Sequence, residues 1–155
     1  MLQDAKTDAY VMTTYKNRTL KTRVKIMDKF GSPVSWNQEI LIPAQYPIIN
    51  GRLVLKVMDK DPLMDEIVGS IVFDMNKIIK GEYNDQIMWK NIYGCPMGMS
   101  SSSFKTEMNN NPEVASWWKG RVLLEVVCKL TDSPIVQVKD IKKNVIDNYK
   151  NQFKS

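Results

Sequence analysis

Apolar and polar residues alternate along most of this chain with a period of two rather than 3.6. In residues 19–26, Leu20, Thr22, Val24 and Ile26 alternate with Lys21, Arg23 and Lys25, the pattern of a half-buried strand with a cationic outer face. In 52–58, Leu53, Leu55 and Val57 form the inward set. In 121–129, Val122, Leu124, Val126 and Cys128 do the same against Glu125 and Lys129. The same reading predicts strands at 9–15, 36–42 and 67–73, and a shorter one at 87–92. Lys16-Asn17-Arg18 closes a hairpin, Phe30-Gly31-Ser32-Pro33 breaks the chain, and Asn50-Gly51 marks a turn. Short strands divided by turns, with almost no helical pattern, predict an all-β fold, an antiparallel β-sandwich.

Two stretches depart from this pattern. Residues 93–117 hold a serine run and Asn109-Asn110-Asn111 without periodicity, and read as a long, mobile loop. Residues 139–154 place Ile141, Val145, Tyr149 and Phe153 at four-residue spacing among lysines. That spacing predicts a C-terminal amphipathic helix, within a basic linker or tail over 131–155. Residues 1–130 then form the single folded domain.

Composition narrows the function classes. The 155 residues are 43% hydrophobic and 25% charged, which suits one soluble domain. Apolar runs are too short to cross a bilayer as a helix. Asp4, Lys6 and Asp8 interrupt any basic-then-apolar leader, so a cytoplasmic location is expected. Histidine is absent, which removes Ser-His-Asp and Cys-His catalysis and leaves zinc only carboxylates and two distant thiols. Cys95 and Cys128 show no metal or redox spacing and read as reduced thiols. An enzyme is therefore not expected. The formal net charge of +5 favours an anionic partner.

The most informative segment runs from Asp59 to Gly69. A strand delivers Asp59 and Asp61, a short loop follows, and Asp65 and Glu66 precede an Ile-Val-Gly strand start. Residues two apart at a strand end face the same way, so Asp59 and Asp61 converge. Such a cluster reads either as solvated turn acids or as hard-oxygen ligands for calcium.

Here the sequence resembles the C2 domain family. Val57-Met-Asp59-Lys-Asp61 with Asp65-Glu66-Ile-Val-Gly69 is similar to that family's third loop, and Thr7-Asp8-Ala9-Tyr10-Val11 to the segment after its first loop. Ser32-Pro33-Val34-Ser35-Trp36-Asn37-Gln38-Glu39 resembles a family strand start, and Trp118-Lys119-Gly120-Arg121-Val122-Leu123-Leu124 a late strand. Trp89-Lys-Asn-Ile-Tyr93-Gly94 and the Trp118 stretch look like those of the multi-domain ferlins. The resemblance implies calcium ligands at Asp59, Asp61 and Asp8, a later ligand at Asp65 or Glu66, and Asp4 as a further first-loop acid. It also implies a strand before the first loop, which is missing here. Either the sequence is a fragment of a longer protein, the favoured reading, or a segment such as 135–138 fills the gap.

The family resemblance implies binding to an anionic phospholipid membrane, in trafficking or fusion. Lys21, Arg23 and Lys25 read either as a solubilising face or as a patch for acidic headgroups, each basic residue contributing about 1 kcal/mol near an anionic surface. Calcium would neutralise the acidic loop, and Leu63 and Met64 at its tip would enter the headgroup region. These readings place the protein peripherally on the cytosolic face of membranes. The competing expectation is a calcium-independent module for a protein partner or phosphoinositides. Nucleic acid is not expected, because Trp36, Trp89, Trp117 and Trp118 are not interleaved with the basic stripe.

Overall fold

The computed structural model describes residues 7–27, 33–96, 102–113 and 117–130. Seven strands lie among them: β1 (Asp8–Tyr15), β2 (Arg18–Lys21), β3 (Lys25–Ile26), β4 (Arg52–Asp59), β5 (Glu66–Asp74), β6 (Ile87–Gly94) and β7 (Trp117–Glu125). All pair antiparallel, in the order β2-β1-β4-β5-β6-β7, with β3 continuing the edge beside β1. The expected antiparallel β-sandwich is the observed fold. Asp4, the tail over 131–155 and the stand-in strand at 135–138 lie outside the described residues.

Alternation positions the core. Leu53, Leu55 and Val57 of β4 face the same side as Ile71 and Phe73 of β5, because Leu53 pairs with Phe73 and Leu55 with Ile71. Tyr15 of β1 joins them. The β6–β7 ribbon meets β5 at one ladder position, Ser70 opposite Tyr93, and closes over the same core with Ile92, Val122 and Leu124. Phe73, only 2% exposed, stands edge-on to Tyr83 with ring centroids 5.8 Å apart. Burying a side chain of this size stabilises the fold by roughly 1.5–3 kcal/mol.

Three expectations are corrected. The stretch read as a loop over 93–117 contains helix α2 (Ser102–Asn110), and β6 and β7 extend into its ends. The helix packs against β5 and β6: Ser70 donates its hydroxyl to the Asn109 carbonyl, and Asn109 Oδ1 accepts the Cys95 N–H. Arg52 binds both Glu113 carboxylate oxygens at 2.9 Å just beyond it. A second helix, α1 (Met75–Ile79), starts where Asp74 accepts the Asn76 N–H and buries Met75 and Ile78.

Residues 36–42 form no strand. Asn37 takes a positive φ of 44°, which breaks an extended run. The segment is fastened by side chains instead: Trp36 Nε1 donates to the Ala9 carbonyl, and Gln38 accepts the Arg23 N–H.

The single strand expected over 19–26 is split. Met12 pairs with Lys21, but Ala9 pairs with Lys25, so three residues on one strand (Thr22, Arg23, Val24) oppose two on the other (Tyr10, Val11). This is a β-bulge. Thr22 fills it, accepting the Val11 N–H with its hydroxyl and donating its own N–H to the Val11 carbonyl.

Candidate functional site

Antiparallel pairing gathers several termini at one end of the sandwich. The start of β1 (Asp8) lies beside the end of β3 (Ile26), and the end of β4 (Asp59) lies beside both Ala9 and the start of β5 (Glu66). The β4–β5 loop projects from this end. Its tip residue Leu63 is 100% exposed and Met64 is 74% exposed, while Ile26 beside Asp8 is 64% exposed. Exposed large apolar residues grouped at a loop end are a feature of interaction surfaces.

The acids at this end divide into two groups. Asp65 is engaged on both oxygens: Lys60 Nζ lies 2.8 Å from Oδ1, and the Tyr10 hydroxyl donates to Oδ2 at 2.7 Å. The Lys60 ammonium, followed by the Tyr10 hydroxyl, holds the Asp65 carboxyl below the usual carboxylate range. Burial, reinforced by the Asp65 acceptor, pushes the Tyr10 phenol up to about 12. Glu66 pairs with Lys105 of α2 at 3.2 Å.

The second group is uncompensated. Asp59 Oδ1 accepts the Asp8 N–H at 3.0 Å, and Lys60 N–H donates to the Asp8 carbonyl. Burial raises the Asp59 carboxyl above its ordinary range, and the charges of Asp61, Asp8 and Glu66 push the same way against that one hydrogen bond. Asp61 is exposed in the loop.

Among the described residues these acids are not gathered around one point, and Asp4 lies outside the described residues. Among the described residues no three His, Cys, Asp or Glu side chains form a group that could hold a metal ion. Two of the loop acids already spend oxygens on lysines of the chain. Calcium needs six to eight oxygens around one point.

The basic residues expected to share a face do not. The bulge shifts the register by one residue, so Lys21 sits opposite Met12 and Lys25 opposite Ala9, positions on opposite faces of β1. Lys21 caps the Tyr10 ring on the outer face at 6.0 Å, and Arg23 lies within the bulge. All three remain exposed. Only Lys25 reaches the loop end.

Three contributors escaped the sequence reading. Lys60 was visible between two acids but carried no signal of its partner. Tyr10 lies in the Thr7–Val11 segment, yet its hydroxyl target is 55 residues away. Lys105 fell in a stretch read as loop, so no helix was expected to carry it toward Glu66.

These features define an antiparallel β-sandwich whose charged and exposed apolar residues meet in loops at one end. A family model for the C2 domain matches residues 1–90, more than half of the chain, and the chain belongs to the C2 domain family. Family members serve in general as membrane- or calcium-binding modules and are typically non-catalytic. The sheet continues past the matched stretch to Glu125. Among the described residues no helix is long and apolar enough to cross a membrane.

Proposed function

We propose that this C2 domain docks on phospholipid membranes through its β4–β5 loop end, without requiring calcium. The observation that carries this reading is the fully exposed Leu63, followed by Met64, at the tip of a loop whose two later acids, Asp65 and Glu66, are paired with Lys60 and Lys105. Inserting Leu63 at the headgroup boundary removes apolar surface from water at about 25 cal/mol per Å². Lys25 at the same end adds an attraction to anionic headgroups of about 1 kcal/mol. The resemblance of the Trp89 and Trp118 stretches to ferlins favours a role within a multi-domain trafficking protein.

Sedimentation with phosphatidylserine-containing vesicles tests the reading. Equal binding in calcium and in chelator, weakened by salt, is the expected result. Absence of binding in both conditions overturns it. Binding only with calcium would instead favour metal-assisted docking, the reading to which the crowding of Asp59 by Asp61 and Asp8 lends weight.

A further inference from the structure

We infer that Lys60 is a built-in counter-ion which occupies the role of a metal ion in the β4–β5 loop and keeps the loop closed without one. A loop with Asp59, Asp61, Asp65 and Glu66 within eight residues carries charge that must be balanced if it is to hold one shape. The chain supplies that balance from inside. The Lys60 ammonium reaches forward to Asp65 at 2.8 Å, so residues 60 and 65 pin the two ends of the tip 61–64 together. The Tyr10 hydroxyl holds the other Asp65 oxygen from β1, which fixes the carboxylate against the sheet. Lys105 of α2 pairs with the remaining acid, Glu66, which stands opposite Asp59 in the ladder.

The geometry explains why the acids do not assemble around one point. Each carboxylate of the second half of the loop is turned toward its own lysine. Asp59, Asp61 and Asp8 are left over, and among the described residues they form no group that could hold an ion. Removing Lys60 frees one Asp65 oxygen and leaves net negative charge at the tip, which a hard divalent cation would then stabilise. The latent metal response is therefore suppressed by one side chain.

The inference rests on the loop end being the working end of the domain, but its test contains no lipid. Its failure and that of vesicle docking are thus read separately. Calcium alone is titrated calorimetrically into the whole chain, the Lys60→Met variant and a Lys60→Met, Asp61→Asn double variant. Lys60 is half-exposed, and methionine keeps an apolar stem of similar length, so the variant is expected to fold. Its melting curve checks this, and Lys60→Gln serves as a second variant. The expected result is no heat from the unmodified chain at millimolar calcium, heat from Lys60→Met, and loss of that heat in the double variant. Two results overturn the inference: calcium heat from the unmodified chain, or none from either folded Lys60 variant.

Discussion

At the scale of single residues, the loop end sets two carboxylates against each other. Asp65 is held in its charged form by Lys60 and Tyr10, whereas burial and neighbouring acids hold Asp59 toward its neutral form. The consequences for stability have opposite signs. A depressed carboxyl stabilises the fold fully above its unfolded pKa of about 4, and the gain disappears as pH falls through its lower folded value. A raised carboxyl does the reverse: ionising it costs more in the folded chain, so its penalty grows as pH rises past 4. Asp65→Asn is expected to lower the melting temperature at neutral pH, with the gap closing in acid. Asp59→Asn keeps an oxygen to accept the Asp8 N–H and is expected to raise it at neutral pH, again with the gap closing in acid. Thermal melts from neutral to acidic pH check both. A neutral-pH loss in Asp59→Asn would show that the hydrogen bond outweighs the crowding.

At the scale of elements, the bulge at Thr22 decides where the basic residues go. Its hydroxyl takes the place of a ladder carbonyl for the Val11 N–H and donates to the Arg23 carbonyl. Thr22→Val is nearly isosteric and leaves the buried Val11 N–H without an acceptor, which costs about 1–3 kcal/mol. Chemical denaturation measures this, and a loss below a few tenths of a kcal/mol would mean that the bulge is held by its backbone alone. Thr22 also shows what the sequence could and could not convey. Its polar hydroxyl fits the alternation as an inward residue, and it is indeed buried at 7% exposure. The extra residue beside it has no local signature, so the basic stripe looked continuous. The strands β4, β6 and β7 were legible because apolar residues recur at every second position, while β1 and β5, buried on both faces in their middles, were legible as short apolar runs bounded by turns. Helix α2 was not, because Ser102–Asn110 is mostly polar, and its fit depends on Met108 and Asn109 meeting distant strands. The acids of the site were legible from their spacing. Their lysine partners were not, since Lys105 and Glu66 are 39 residues apart and meet only through the fold.

At the scale of the whole molecule, the sandwich separates two kinds of exposed apolar surface. One is the loop end, where Leu63 and Met64 are exposed in the β4–β5 loop and Ile26 is exposed opposite Asp8. The other is the outer face of the β6–β7 ribbon, where Trp89 pairs across the strands with Leu123 and Arg121 stacks over the Trp89 ring at 4.4 Å. Leu123 is 50% exposed there. The account assigns docking to the first surface. A comparison of Leu63→Asp with Leu123→Asp in vesicle sedimentation, at low salt and in chelator, tests that assignment most directly. The account predicts that Leu63→Asp loses at least about tenfold in vesicle affinity, a change of about 1.4 kcal/mol, while Leu123→Asp binds as the unmodified chain does. Equal binding by Leu63→Asp, or a loss confined to Leu123→Asp, would contradict it.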